Sequence, residues 1–298
     1  MEDFYRDLKE ILPEAAIRCQ EPMANHTTFR IGGPAAYYVT PPGEEAFVRT
    51  VSLCRRRRIP WYVVGKGSNL LVRDRGYAGV ILSTEGLAEI SVEGEEMRAS
   101  AGVLLSRLAK AAAQKALTGL EFAAGIPGTL GGAVVMNAGA YGSEMRDRLC
   151  WARVLDSQGQ VKTLEADELE LGYRRSCVQD RGYVVLKAGL RLSAGRREDI
   201  LDRMEELAEK RREKQPLEYP SAGSTFKRPE GYFAGKLIDD AGLRGYRVGD
   251  AQVSEKHCGF VVNRGHATAA QVALLCAQVQ QKVREQFGVE LELEVKQL

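Results

Sequence analysis

GLEFAAGIPGTLGGAVVMNAGAYG, residues 119–142, holds seven glycines in 24 positions. At the chain-wide frequency of 31 in 298, about two or three would fall there. Glycine costs roughly 0.5–1 kcal/mol against alanine in regular structure, so this density needs a cause. Either several positions require positive φ, or a ligand lies directly on the backbone. The stretch from Phe122 to Ser143 is uncharged, and Gly128 and Gly132 stand at the G-x-x-x-G spacing of packed membrane helices. However, a lipid-facing helix needs about 20 mostly apolar residues. Here six glycines and Pro127 occupy 22 positions, which argues against a span. A turn system that serves only the fold remains the alternative to a ligand loop. Pro127 suits a first helical turn, and TLGGAVVM can start a short helix with its free N–H groups toward a phosphate. Asn137-Ala138-Gly139-Ala140 reads as a second tight turn.

Upstream, WYVVGKGSNLLV (61–72) reads as strand, glycine-rich loop, strand. Successive N–H groups in such a loop can face one concavity and bind anionic oxygens. Ser68 and Asn69 add side-chain donors and Lys66 a charge. The dinucleotide fingerprint G-x-G-x-x-G fails, because Leu70 stands at its third glycine and no helix follows. A hairpin-type turn is the competing reading.

A chain of 298 residues predicts two or three domains. A net charge of +2 gives no bulk attraction to nucleic acid or anionic membrane. The segment MEDFYRDLKEILPEAAIRC is acidic and amphipathic, unlike a signal peptide, so a cytoplasmic protein is expected. The cysteines at 19, 54, 150, 177, 258 and 276 form no C-x-x-C pair, and the histidines number only three. Neither a disulfide framework nor a metal centre is expected.

Helices are expected at 3–12, 43–57, 103–117, 197–214 and 268–287. The helix at 197–214 reads as the domain linker. In the helix at 268–287, Val272, Leu275, Val279, Val283 and Phe287 form the apolar stripe and Gly288 the stop. Strands are expected at 35–39, 61–64, within 79–100, at 151–156, 160–164 and 183–192. VELELEVK alternates strictly and predicts a last strand burying Val289, Leu291, Leu293 and Val295. The run Arg55–Arg58 could be taken for a nucleic-acid contact. The favoured reading is a helix C-terminus, whose dipole suits cations, closed by Pro60.

Five motifs now stand in order: VVGKGSNLLV, the stretch 119–142, GYRRS, PSAGSTFKRP and VSEKHCGFVVN. Together they resemble the UDP-N-acetylenolpyruvoylglucosamine reductase family of flavoenzymes, from about His26 to Val295. The resemblance implies an α+β chain: a two-part FAD-binding domain of the p-cresol methylhydroxylase type, then a C-terminal α+β substrate-binding domain. The expected boundaries are 1–84, 85–194 and 195–298, with the final strand packing back on the FAD unit. Only 49 residues separate Arg174 from Ser224. That matches the short type of the family, which lacks an inserted tyrosine loop.

The implied cofactor is FAD, bound non-covalently because neither glycine-rich loop carries a histidine. NADPH is the implied hydride donor, and the substrate is UDP-N-acetylglucosamine enolpyruvate, reduced to UDP-N-acetylmuramate for peptidoglycan precursor synthesis. No nucleic-acid or membrane partner is implied. Another FAD-dependent oxidoreductase of the same fold is the alternative. FAD is expected along Gly65, Lys66, Gly67, Ser68, Asn69 and Leu70, and along Gly125, Ile126, Pro127, Gly128, Asn137, Ala138, Gly139 and Ala140. Gly131 and Gly132 are held back as candidates for close helix packing.

Reducing an enolpyruvyl ether builds negative charge toward the carboxylate and needs a proton at C2. By the resemblance, Arg174 holds the carboxylate, which suits a guanidinium fork. Ser224 donates the proton, and Glu294 is a second acid at the carboxylate side. Arg175 is the obvious confound for Arg174, and Glu290 and Glu292 for Glu294. Lys227 is a substrate-side cation that could polarise Ser224. His257 could touch the diphosphate or pack in a turn.

Overall fold

The structure, a computed structural model, describes residues 2–298. The chain forms two compact units: Met1–Cys19, Tyr37–Lys66 and Gly79–Lys210 in the first, and Gln20–Ala36, Gly67–Ala78 and Arg211–Leu298 in the second. The change from one to the other after Lys210 falls inside the helix Arg197–Lys214.

The first unit is built on an antiparallel five-stranded sheet. Its order is Val161–Glu165, Leu149–Leu155, Val184–Arg191, Glu96–Ser100, Ile90–Glu93. Alternate residues of these strands, among them Met97, Ala99, Val154, Leu186 and Ala188, are fully or nearly fully buried. At Gly189 a Cβ would stand 2.2 Å from Trp151 Nε1, so the strand must be glycine for the indole of Trp151 to lie across it. The short helix Leu130–Val135 packs on strands Val184–Arg191 and Glu96–Ser100. It begins at a cap on Thr129, whose Oγ1 accepts from Gly132 N–H. Pro127 therefore precedes the helix by three residues and does not start it, a correction to the sequence reading.

The helix Glu44–Arg57 buries Phe47, Val51, Leu53 and Cys54 and ends with Arg58 at φ 54°. Two members of the arginine run bond within the unit, and Arg56, Arg57 and Arg58 are exposed. Arg55 donates to the carbonyl of Asp156 at 2.8 Å, and Arg57 pairs with Asp7.

Strand Trp61–Val64 pairs in parallel with Val80–Ser83, and Leu70–Leu71 pairs in parallel with Lys296–Gln297. The two strands flanking the 65–69 loop thus have different partners, which rules out the hairpin.

In the second unit an antiparallel sheet runs in the order Ser221–Ser224, Phe260–Asn263, Ala251–Val253, Arg247–Val248. The helix Ala269–Phe287 covers it and buries Val272, Leu275, Val279 and Val283. Its capping box joins Thr268 and Gln271, and Asp74 accepts from the N–H groups of Ala269 and Ala270 at 2.7 and 3.0 Å. A carboxylate at that end also complements the helix dipole. Phe287 departs from the expected stripe: it is 38% exposed, as the last helical residue before the left-handed turn at Gly288. The predicted last strand is also shorter than its alternation implied. Leu291 and Val295 are buried as expected, but pairing is confined to a bridge between Leu293 and Phe226 and to Lys296–Gln297. Period-2 burial needs only an extended chain on a core; a ladder needs a continuous partner as well.

Among the described residues, no helix is long and apolar enough to cross a membrane, and no His/Cys/Asp/Glu group could hold a metal. All six cysteines are free.

Candidate active site

In the first unit the two glycine-rich stretches touch. A Cβ on Gly65 would lie 2.3 Å from Thr129 Oγ1. Only glycine lets strand Trp61–Val64 end against the cap of the short helix. Gly131 is equally constrained: its Cβ would lie 2.8 Å from that of Ala101, and its N–H donates to the Ala101 carbonyl at 2.8 Å. Gly132, by contrast, meets only Thr129 Oγ1 at 3.6 Å. Of the pair considered for close packing, Gly131 is the one that needs to be glycine. Much of the remaining backbone here is also engaged. The carbonyl of Gly128 accepts from Leu105, Ala138 N–H donates to Ala133, and the carbonyl of Ala138 accepts from Met145. Gly125 and Pro127 stand exposed, Ile126 and Gly128 half-buried.

Asn137, fully buried and at φ 40°, joins this stretch to GYRRS. Its amide donates to the carbonyl of Gly172 at 3.1 Å, and its oxygen accepts from Arg146 N–H at 2.9 Å. Ser176 Oγ donates to the carbonyl of Val135 at 2.7 Å. Between these anchors the chain makes a tight turn, with Gly172 and Arg175 exchanging backbone hydrogen bonds at 3.0 and 3.2 Å. Arg174 sits at its left-handed position, φ 55°. That conformation costs a non-glycine residue about 1 kcal/mol, and such strain gathers at working sites. The two arginines then separate. Arg175 is exposed and bonded to Asp180 at 2.8 Å. Arg174 is half-buried, with its guanidinium 5.1 Å from the ring centre of Tyr173.

In the second unit Ser224 ends strand Ser221–Ser224, beyond an irregularity in register and next to Gly223 at φ 75°. Thr225 follows, and its Oγ1 accepts from Val261 N–H at 2.9 Å. Its carbonyl accepts from the N–H of Glu294, also at 2.9 Å. The chain thus places Glu294 across from the residue that follows Ser224. Neither Glu290 nor Glu292 has that place. Glu290 faces Arg284, and Glu292 pairs with Lys227. The ammonium of Lys227 is therefore engaged by a neighbouring carboxylate. His257 packs in its turn: Nδ1 accepts from Gly259 N–H at 3.1 Å, and the ring lies edge-on to Phe260. Burial holds its pKa below the ordinary imidazole value, so the neutral ring carries its proton on Nε2.

The loop after Val64 leaves backbone donors open. The N–H groups of Lys66, Gly67 and Ser68 find no hydrogen-bond partner among the described residues. Gly67 is nevertheless buried, with φ 62° and room for no side chain: a Cβ would lie 2.0 Å from the carbonyl oxygen of His26. Buried N–H groups are nearly always paired, so the one on Gly67 calls for an acceptor from outside the chain, and those of Lys66 and Ser68 flank it at the surface.

A model of the UDP-N-acetylenolpyruvoylglucosamine reductase C-terminal domain matches residues 215–298, and a model of an FAD binding domain matches 35–165. A UDP-N-acetylenolpyruvoylglucosamine reductase from Lachnoclostridium phytofermentans is 53% identical over 98% of this chain and 96% of its own length. One from Agathobacter rectalis is also 53% identical, over 99% of this chain and 98% of its own. The chain belongs to the UDP-N-acetylenolpyruvoylglucosamine reductase family. It is therefore an oxidoreductase with an FAD-binding domain, of the kind that serves peptidoglycan synthesis. The crystal structure of the Thermus caldophilus reductase superposes with a TM-score of 0.80 at 38% identity, covering 93% of this chain and 97% of that one. An alkyldihydroxyacetonephosphate synthase shares the fold over 65% of the chain, at 16% identity and TM-score 0.50.

FAD fits the residues that this reductase presents. Its diphosphate is an acceptor of the kind that the three unpaired N–H groups lack, and Lys66 adds an exposed cation beside them. Sequence reasoning found the loop but missed the scaffold. Asn137 and Thr225 act through backbone groups far along the chain, and no local pattern announces such bonds.

Proposed function

We propose that the enzyme reduces UDP-N-acetylglucosamine enolpyruvate to UDP-N-acetylmuramate with NADPH as donor, the two substrates binding in turn. FAD, held non-covalently, would supply the two-electron hydride chemistry when bound. The chain's own residues do the rest. The N–H groups of Lys66, Gly67 and Ser68 hold the cofactor diphosphate. Arg174 forks onto the substrate carboxylate and stabilises the charge that develops there. Ser224 gives its hydroxyl proton to C2, and the serine regains a proton from solvent before the next turnover. Glu294 acts as the second acid on the carboxylate side.

The observation that carries this reading is the placing of Glu294. Its N–H bonds to the carbonyl of Thr225, directly after Ser224, so the segments that carry the two acids are joined side by side. Arg174 is supported over Arg175 by its left-handed place in the turn.

Anaerobic stopped-flow separates the roles. Ser224→Ala should leave flavin reduction by NADPH unchanged and slow reoxidation by the enolpyruvyl substrate about 10²–10⁴-fold, the usual worth of a positioned acid. An unchanged second half-reaction would remove Ser224 from the chemistry.

A further inference from the structure

Asn69 closes the loop that carries the unpaired N–H groups, and it grips the C-terminal segment twice. Its carbonyl accepts from Lys296 N–H at 3.0 Å, and its side-chain amide donates to the carbonyl of Glu294 at 3.2 Å. The grip continues along the chain. Leu298 N–H donates to Leu71 at 3.0 Å, Arg73 N–H donates to Leu298 at 2.8 Å, and Lys296–Gln297 lie in parallel register with Leu70–Leu71. Glu294 is thereby held at both backbone groups. Thr225 takes its N–H and Asn69 its carbonyl. With the main chain pinned from two sides, the carboxyl group moves only about its side-chain torsions.

We propose that Asn69 is a positioning residue for Glu294, tying the placing of that acid to the loop that receives the cofactor diphosphate. The proposal rests on the reading of Glu294 given above. A carboxamide suits this task because it donates to a carbonyl, and the isosteric aspartate cannot. Displacing a reacting group by about 1 Å can cost on the order of 10²-fold in rate, so one hydrogen bond at its backbone is enough to matter. Thr225, which pins the other side, is fixed by the sheet. Asn69 belongs to the loop, so it is the member whose hold would follow cofactor binding.

The test uses the full-length protein loaded with FAD, with Asn69→Asp and Asn69→Ala compared. Both should slow flavin reoxidation by the enolpyruvyl substrate by at least about tenfold, while flavin reduction by NADPH stays within about threefold. Equilibrium dialysis measures the FAD affinity of each variant, and both half-reactions are read at saturating FAD, since Asn69 also belongs to the loop expected to hold the cofactor. Amide exchange at Glu294 and Lys296 should accelerate in both variants, already without cofactor. A side chain that merely fills space would tolerate aspartate. In the double variant, Asn69→Asp should add little to Glu294→Gln, since it acts through that residue. Wild-type reoxidation in Asn69→Asp, or an additive double variant, overturns the proposal alone. Wild-type reoxidation in Glu294→Gln overturns the reading of Glu294 and the proposal with it.

Discussion

The loop Gly65–Ser68 and the stretch Gly119–Gly142 are both dense in glycine, for different physical reasons. In the longer stretch the backbone is largely used by the protein itself. Gly131 lets the short helix approach Ala101, Gly119 takes φ 119° against Arg148, and the polar groups of Gly128 and Ala138 are bonded internally. In the shorter loop Gly67 also lies against the chain, yet the N–H groups of Lys66, Gly67 and Ser68 have no partner among the described residues. Glycine density marks close backbone approach in both places. A left-handed glycine with an open, buried N–H, as at Gly67, is what an approach to a ligand adds to an approach to another part of the chain.

Three substitutions by alanine test that contrast. The largest effect is expected at Gly67. Its positive φ and the His26 carbonyl force the loop to shift, and Gly67→Ala should weaken FAD binding at least about 30-fold, or roughly 2 kcal/mol. Titration of the apoprotein with FAD measures this, and retained affinity would break the contrast from the loop side. Gly131→Ala should act on stability instead. The new methyl overlaps Ala101, so about 1–3 kcal/mol of unfolding free energy should be lost in urea titration. The folded fraction should still bind FAD within about threefold of wild type. A loss of affinity without a loss of stability would put the ligand on the helix after all. Gly132→Ala should have the smallest effect and the opposite sign. It sits within a helix with open space for Cβ, so a gain of about 0.5–1 kcal/mol is expected, read as a raised Tm.

Much of this was legible in the chain itself. The helices Arg197–Lys214 and Ala269–Phe287 and the short strands fell close to where periodicity and caps placed them. The order of five motifs carries the family resemblance by itself. What stayed hidden is the set of bonds between distant residues. Asn137 looks like an ordinary turn residue, and nothing near it in sequence says that it holds Gly172, 35 positions away. Asn69 looks like one more polar residue in a phosphate loop, while its amide bonds to Glu294, 225 positions away. The alternation in VELELEVK holds for the buried Leu291 and Val295, while Val289 and Leu293 are only half-buried, and it overstated pairing, because period-2 burial is common to strands and to any extended segment lying on a core. Adjacent arginines are interchangeable in sequence. Only the geometry of the turn distinguishes Arg174 from Arg175.

The central claim is that the N–H groups of Lys66, Gly67 and Ser68 receive the diphosphate of FAD. Residue-resolved amide hydrogen exchange, compared with and without FAD, tests it most directly. We expect strong new protection at Lys66, Gly67 and Ser68 when FAD is bound. The amides of Gly131 and Ala138, already bonded within the protein, should change little. Unchanged exchange at 66–68 in FAD-saturated protein would contradict the claim.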